Sequence, residues 1–449
     1  MSNEHEIAVL GGGPAGYAAA IRAAQLGAKV VLIEKDKVGG TCLNRGCIPT
    51  KAIIACTTLF EKIKKAESFG ITSDNPSINL EKVIARKDQI ISKLVKGLEF
   101  LIEKNGITIV RGQGKVLAPN KLEIETSDGR RPACRTGRLS VISRKLIIAT
   151  GSTNALLPGF NFDHSNILNS DDILNLTEVP EKLTIVGGGV IGIHFAAIFS
   201  LLGTEVTVYE ALPEILSGID EEVVSLVKRI LKRKNVSILT GTRFEKATGK
   251  ILICVGRLPS LLGLEALNLK MDGKSIFVNE KMETNVPNTY AVGDAASKKM
   301  LAHVAFEQGV IAAENALGAN RTFNYNSVPI GIYTSPEIGS VGLTEKEARE
   351  KHSNIKVGKF PYSALGIANA MGEAEGFIKI ISDDSGKILG AHIIGAEATT
   401  LISNIVIAMK QGISADKIGG TFQSHPSYSE GVQEAAEAIF KASLHMLNQ

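Results

Sequence analysis

A glycine-rich turn that occurs twice constrains the fold of this chain more than any other feature. Each copy follows a short apolar run typical of a buried parallel strand and precedes a helical run. A second apolar run then ends at an acidic residue. The glycines are Gly11, Gly13 and Gly16 in the first copy and Gly187, Gly189 and Gly192 in the second, and the acids are Glu34 and Glu210. The repeat predicts two Rossmann-like dinucleotide-binding units.

The spacing of the glycines suits a bound pyrophosphate. The first glycine permits a tight turn, the second lets the backbone approach the phosphates, and the third allows the helix to pack closely on the strand. The start of the helix adds free N–H groups and the positive end of its dipole. Glu34 and Glu210 stand where a carboxylate accepts ribose hydroxyls. Glu210 favours NAD, because a carboxylate repels the 2′-phosphate of NADP.

Two of the five cysteines stand close together in the segment GGTCLNRGCIPTK, residues 39–51. Cys42 and Cys47 lie at a turn that enters a helix, so they can close a small disulfide loop, and a helix N-terminus lowers a thiol pKa. A half zinc site and inert buried thiols are the alternatives. Zinc needs further ligands, and no second cluster of cysteine and histidine follows. The pattern therefore favours a redox-active pair and no metal site. The other cysteines are Cys56, Cys134 and Cys254.

A histidine with a nearby carboxylate occurs close to the C-terminus, in the segment HPSYSE. His425 and Glu430 could form an oriented general base. A lone histidine in a loop is more often structural, so the hypothesis depends on the other motifs.

The composition is that of a soluble protein with several domains. The chain has 449 residues, too many for one ordinary domain, and its net charge of +4 gives no reason to expect nucleic acid or an anionic membrane as partner. No apolar run reaches the ~18 residues of a membrane span. The first residues lack the features of a signal peptide, which predicts a cytoplasmic protein. The arginine-rich segment 127–144 is expected to be a solvated loop.

Taken together, the motifs resemble those of the flavin-dependent pyridine nucleotide–disulfide oxidoreductases, and specifically the dihydrolipoamide dehydrogenases. The similarity runs from about Ile7 to Ile439 in the order of that family. Besides the two segments quoted above, it is carried by YAVGDAA, LAHVAFEQG and VPIGIYTSPEIGSVGLTE, which begin at residues 290, 301 and 328.

The resemblance implies FAD and NAD as cofactors and a role for each motif. Cys42 would be the interchange thiol that attacks the substrate, Cys47 the thiol beside the flavin, and Lys51 a neighbour of the reactive flavin edge. His425, oriented by Glu430, would be the base and would reach the partner subunit of a homodimer. Further residues implied in cofactor binding are Gly40, Thr41, Gly114, Thr150, Gly151, Ser152, Gly256, Asp294, Leu301, Ala302 and His303.

The implied fold is α/β, with two Rossmann-like domains and a C-terminal α+β dimerisation domain. Helices are predicted over 51–69, 77–104, 401–411 and 429–447, and a third domain begins near residue 326. The expected divisions are an FAD-binding domain (1–150), an NAD-binding domain (151–270), a segment that returns to the FAD site (271–325) and the dimerisation domain (326–449). The implied substrate is the dihydrolipoyl group of lipoyl domains on the acyltransferase core of a 2-oxo-acid dehydrogenase complex.

Two departures from the family pattern fall in the NAD half. The family has a glutamate at the position of His194, so we expect Lys51 to lack a carboxylate partner. The stretch 240–256 is short, so a pair of antiparallel strands is expected to be missing there.

Two alternatives remain. Glutathione or mercuric reductase shares the fold, but Glu210 disfavours NADPH, and no cysteine follows Cys254. The other alternative is a catalytically impaired flavoprotein with a structural role in the complex.

Overall fold

The computed structural model describes residues 4–126, 137–246 and 248–448. Cys134 and three arginines of the basic segment, Arg130, Arg131 and Arg135, lie outside these ranges. The last part of that segment is a strand and not the expected loop, because alternate side chains from Arg138 onward are buried against the sheet. Within the described ranges, no helix is both long and apolar enough to cross a bilayer.

The first domain is built on a sheet in which parallel strands carry the first dinucleotide turn. Its elements are β1 (Glu4–Leu10), α1 (Pro14–Gln25), β2 (Val30–Glu34), α2 (Gly40–Arg45), α3 (Cys47–Lys64), α4 (Leu80–Lys104), β3 (Thr108–Ala118), β4 (Lys121–Thr126) and β5 (Arg138–Ile148). β1 pairs in parallel with β2 and β5, and β4 is antiparallel to both of its neighbours. Every residue of β2 is buried, as expected of a parallel strand in a covered sheet.

The second domain is a five-stranded parallel sheet in the order β10-β9-β8-β11-β7. Its elements are β6 (Ser152–Asn154), β7 (Ile167–Leu168), β8 (Lys182–Val186), α5 (Val190–Leu201), β9 (Glu205–Tyr209), α6 (Glu221–Arg233), β10 (Val236–Leu239), β11 (Lys250–Ile253) and β12 (Arg257–Pro259). The connection from β10 to β11 contains no strand among its described residues. The extra antiparallel pair is therefore not found in the described part of this connection.

A central segment returns the chain to the first domain. Its elements are β13 (Met271–Asp272), β14 (Ser275–Ile276), β15 (Thr289–Ala291) and α7 (Ala302–Ala316). β15 pairs in parallel with β5, and α7 packs against α1. The contact is so close at Gly309 that a Cβ there would clash with the carbonyl oxygen of Ala15.

The third domain is an antiparallel sheet in the order β16-β17-β20-β19-β18, with helices packed on it. Its elements are β16 (Ile330–Ile332), β17 (Glu337–Gly342), α8 (Glu345–Lys351), β18 (Lys356–Pro361), α9 (Gly366–Ala370), β19 (Phe377–Ser382), β20 (Ile388–Gly395), α10 (Ala398–Gln411), α11 (Ala415–Gly419) and α12 (Glu430–Ala438). The helix predicted over 429–447 is too long. It ends at Ala438, and Lys441 then adopts a left-handed φ of 56°.

A buried ionic cluster joins the second and third domains. Lys379 of β19 is 1% exposed and lies 3.1 Å from Asp220, 2.8 Å from Glu222 and 2.6 Å from Glu345. Asp220 also caps α6, because its side chain accepts a hydrogen bond from the backbone N–H of Glu222. The cluster therefore ties the start of α6 to the third sheet. The predicted α/β class, with two dinucleotide-binding units and an α+β third domain, is confirmed.

Candidate active site

A cavity of about 2080 Å³ lies where the three domains meet. It is lined by residues of both glycine-rich turns, both acids, the cysteine pair and most of the other residues that were predicted from the sequence. The predicted residues that line it are Gly11, Gly13, Glu34, Gly40, Thr41, Cys42, Cys47, Lys51, Gly114, Thr150, Gly151, Ser152, Gly187, Gly189, Glu210, Gly256, Asp294, Leu301, Ala302 and His303. Gly16 and Gly192 lie in the turn of helix behind the lining, and His425 and Glu430 lie elsewhere.

The third glycine of each turn is required by packing. A Cβ on Gly16 would clash with the carbonyl oxygen of Gly11, and a Cβ on Gly192 would clash with that of Gly187. The helices that follow, α1 and α5, have no acidic residue in the first turn and no side-chain cap. Their N–H groups and positive dipole ends are therefore free to receive phosphates.

The two acids hold the two turns with nearly the same geometry. Glu34 accepts hydrogen bonds from the backbone N–H groups of Gly12, at 2.6 Å, and Asp36, at 2.8 Å. Glu210 accepts them from Gly188, at 2.7 Å, and Leu212, at 2.8 Å. Both carboxylates face the cavity, so the residues present fit a dinucleotide at each turn.

The cysteine pair lies where α2 meets α3. Both thiols are free, and the pair lies near 2.8 Å apart. The hydrogen bond from Cys42, together with the charge of Lys51, overcomes the effect of burial and lowers the pKa of Cys47 to about 7. The same hydrogen bond and burial raise the pKa of Cys42. In the reduced pair the thiolate is therefore on Cys47, and the two sulfurs are close enough for thiol–disulfide exchange.

Lys51 lies one helical turn after Cys47, and its surroundings include no carboxylate from α5. Its Nζ atom is 4.3 Å from the centre of the Tyr333 ring. His194 is buried and accepts a hydrogen bond at Nε2 from the backbone N–H of Tyr333, at 2.7 Å. Burial and the charge of Lys51 lower the pKa of His194 to about 3, so this imidazole is neutral. The aromatic neighbour of Lys51 was not anticipated from the sequence.

Asp294 belongs to a polar network that also lines the cavity. Its carboxylate accepts a hydrogen bond from the Ser152 hydroxyl. Arg257 donates to the same hydroxyl at 2.8 Å and to Asn154 Oδ1 at 2.7 Å. The buried Gln308 accepts a hydrogen bond from the Gly293 N–H at 2.9 Å, which fixes the turn before Asp294. Arg257 and Gln308 were not predicted from the sequence, although Arg257 directly follows the predicted Gly256.

His425 and Glu430 form a pair at the start of α12. His425 Nδ1 lies 2.7 Å from Glu430 Oε1, and Glu430 Oε2 accepts the Ser427 N–H at 2.7 Å. Burial raises the pKa of Glu430, but these hydrogen bonds outweigh that effect and the pKa lies below its usual value. The carboxylate therefore orients the imidazole. The His425 side chain is 79% exposed and does not line the cavity that holds the cysteines of the same chain.

Comparison with protein-family models gives two matches that together span most of the chain. Residues 5–309 match the pyridine nucleotide-disulphide oxidoreductase family, and residues 328–436 match its dimerisation domain.

Known proteins are similar to this chain over its full length. The dihydrolipoyl dehydrogenase of Thermus scotoductus is 39% identical, with 99% of each chain covered, and one from Bacillus subtilis is 39% identical, with 98% of this chain and 99% of the relative covered. Among solved structures, LpdA of Mycobacterium tuberculosis superposes with a TM-score of 0.88 at 25% identity, covering 96% of this chain and 99% of that one. The copper(II) complex of the HOCl-induced flavoprotein disulfide reductase RclA of Escherichia coli has a TM-score of 0.86 at 25% identity, covering 97% and 99%.

Proposed function

Because the chain belongs to the pyridine nucleotide-disulphide oxidoreductase family, we propose that it is a flavoenzyme that oxidises dihydrolipoyl groups with NAD, as the names of its relatives suggest. The observation that carries the proposal is the free Cys42–Cys47 pair beside Lys51, in one cavity with two dinucleotide turns. The alternative of an impaired structural flavoprotein is not favoured, since such a role needs neither the thiols nor an oriented histidine.

FAD and NAD are the cofactors, and residues of the two turns would hold them. The first turn, Glu34 and Asp294 would hold FAD, and the second turn and Glu210 would hold NAD. This assignment divides the chain into an FAD domain (1–150), an NAD domain (151–270), a returning segment (271–325) and a dimerisation domain (326–449). When bound, FAD supplies a two-electron carrier between the thiols and the nicotinamide.

The chemistry of the thiols follows from their positions and charges. In the oxidised enzyme Cys42 and Cys47 share a disulfide. His425, held by Glu430, takes the proton of one dihydrolipoyl thiol, and the substrate thiolate attacks Cys42. The Cys42–Cys47 bond breaks, and Cys47 leaves as a thiolate beside the Lys51 ammonium. The second substrate sulfur then displaces Cys42, which takes a proton, so the substrate becomes a disulfide and the cysteines are reduced.

The position of His425 favours a base supplied by the other subunit of a homodimer. Its imidazole is exposed and does not line the cavity of its own chain, and it lies within the segment that matches the family's dimerisation domain. The natural substrates of this dimer are lipoyl domains on the acyltransferase core of a 2-oxo-acid dehydrogenase complex.

The test is an assay of dihydrolipoamide oxidation with NAD, using NADP, and separately NADPH with glutathione disulfide, as comparisons. We expect turnover with dihydrolipoamide and NAD to exceed both comparisons. Cys42→Ser and Cys47→Ser should each abolish it, whereas Cys56→Ser, which changes a cysteine outside the cavity lining, should not. Faster turnover with NADPH and glutathione disulfide would instead place the chain among the glutathione reductases.

A further inference from the structure

The ammonium of Lys51 rests on an aromatic face. Its Nζ lies 4.3 Å from the centre of the Tyr333 ring, well inside the distance at which a ring attracts a cation. Within the described ranges, no carboxylate oxygen lies within 4.0 Å of this Nζ. The carboxylate of Glu337 is the one whose charge acts on the Lys51 ammonium from a longer distance. Oε2 of Glu337 accepts hydrogen bonds from the backbone N–H of Thr399, at 3.1 Å, and from the Thr399 hydroxyl, at 2.7 Å. The ring is therefore the direct support of the ammonium.

The ring is itself fixed by a histidine. Tyr333 directly follows β16, at the point where the chain leaves the third sheet, and its backbone N–H donates to His194 Nε2 at 2.7 Å. His194 is 5% exposed and lies on α5 of the second domain, so the bond is protected from water. A nitrogen that accepts this bond carries no proton. His194 thus anchors the backbone that carries the ring without adding a second charge.

We propose that Tyr333 is a positioning residue that holds the Lys51 ammonium beside Cys47, and that His194 positions Tyr333 through its backbone. The inference rests on the thiol roles proposed above and deepens them. Lys51 comes from the first domain, His194 from the second and Tyr333 from the third.

The aromatic support has a consequence for the charge at the site. Cys42 and Cys47 face Lys51 from α2 and α3, Glu337 faces it from β17, and His194 on α5 is uncharged. A carboxylate bound to the ammonium would cancel most of its field, whereas a ring holds the cation and leaves its charge intact. The charge of Lys51 can therefore stabilise the Cys47 thiolate. An ammonium that was not held on the ring would stabilise this thiolate less.

The test reads the Cys47 thiolate directly and does not depend on turnover. In holoenzyme carrying Cys42→Ser, the Cys47 thiolate beside oxidised flavin is expected to give a long-wavelength absorption band, and its pH midpoint reports the acidity of Cys47. Adding Tyr333→Leu should make Cys47 an about three- to tenfold weaker acid, moving the midpoint up by about 0.5–1 pH unit. The matched variant Tyr333→Phe keeps the ring face and should leave the midpoint in place.

A second pair of variants tests the anchor. His194→Leu removes the acceptor and should move the midpoint in the same direction as Tyr333→Leu, while His194→Gln, whose carbonyl can accept the Tyr333 N–H, should restore it. Combining His194→Leu with Tyr333→Leu should add little to either change alone, since both act through one support. Circular dichroism and FAD content establish that each variant is folded.

The outcomes separate this inference from the proposed function. If the Cys42→Ser holoenzyme shows no band while Tyr333 is intact, the assignment of the thiols is wrong. If the band is present but neither Leu nor Phe at position 333 moves its midpoint from the value with Tyr333, Tyr333 does not position Lys51. Equal shifts for Leu and Phe would assign the effect to the hydroxyl and overturn the role of the ring.

Discussion

At the scale of single residues, His425 offers the clearest separation of a catalytic role from a structural one. His425→Ala should slow dithiol oxidation about 100-fold or more, because the substrate thiol loses its base. NADH-driven reduction of small quinones does not use the dithiol and should survive. His445→Ala is the matched control, because His445 is also an exposed imidazole paired with a glutamate of α12. Its Nδ1 lies 2.5 Å from Glu434 Oε1. Equal losses in both reactions would mean that His425 is structural.

The two acids that hold the dinucleotide turns allow a paired test. Glu34 and Glu210 each accept two hydrogen bonds from backbone N–H groups through their carboxylate oxygens. Glu34→Gln and Glu210→Gln remove the negative charge, and charge-assisted hydrogen bonds are about twice as strong as neutral ones. Glu34→Gln should weaken the binding of FAD about tenfold, which is seen as loss of FAD during dialysis. Glu210→Gln should raise the KM for NAD about tenfold. A change at Glu34 that altered only the KM for NAD would reverse the assignment of the two sites.

Individual site residues were predictable where the residues that share one chemical role lie close together in the sequence. The thiols, the glycines and the acids all lie in short segments whose spacing has a physical reason, and all of them except Gly16 and Gly192 line one cavity. Tyr333 and Gln308 could not be found in this way. Their roles depend on contacts between residues far apart in the chain, such as the Tyr333 N–H bond to His194, 139 residues away.

At the scale of elements, the ionic cluster around Lys379 should be a major support of the contact between α6 and the third sheet. Lys379→Met leaves Asp220 buried without its partner and should destabilise the protein by about 3–5 kcal/mol. Lys359→Met is the control, because Lys359 pairs with Glu222 at the surface, at 2.7 Å, and should cost less than about 1 kcal/mol. Urea unfolding followed by circular dichroism measures both. Similar costs for the two variants would contradict this account.

The cluster also sets the direction of a pH dependence. Burial raises the pKa of Glu345, but hydrogen bonds from Lys379 and Arg349 outweigh it, so the pKa lies below its usual value. Such a carboxyl stabilises the fold above its ordinary pKa and loses that contribution as the pH falls through the folded-state pKa. Wild type should therefore lose stability on acidification below about pH 4, and the loss should be smaller in Lys379→Met. Thermal midpoints measured from pH 7 to 3 would reveal it, and parallel curves for the two proteins would exclude it.

Element types were easier to predict than element ends. The βαβ units were recognised because apolar runs, glycines and acids repeat in order. The antiparallel β3 and β4 were not recognised, because their alternating residues give a weaker signal than a continuous apolar run. The helix predicted to run to residue 447 ends at Ala438, and the sequence after it remains helix-like in composition. The left-handed Lys441 that changes the chain direction has no local signature.

At the scale of the whole molecule, a mixture of two inactive proteins tests the division of the site between subunits. Cys42→Ser and His425→Ala homodimers should each be inactive in dithiol oxidation. If His425 serves the partner's thiols, a heterodimer of the two has one intact site. A mixture that has exchanged subunits should then recover about one quarter of wild-type activity. If each histidine served its own chain, every site in the mixture would carry one defect and no activity would return. Reassociated wild-type protein is the control for the exchange.

The exposure of the His425 imidazole also has a kinetic meaning. A monomer would hold Cys42 and Cys47 without a base beside them, because its own His425 lies outside the cavity that holds these thiols. At chain concentrations well below the dissociation constant of the dimer, the rate of dithiol oxidation would then fall with the square of the chain concentration. Quinone reduction by NADH, which needs no base, would fall only in proportion. The two reactions of one enzyme would differ in kinetic order.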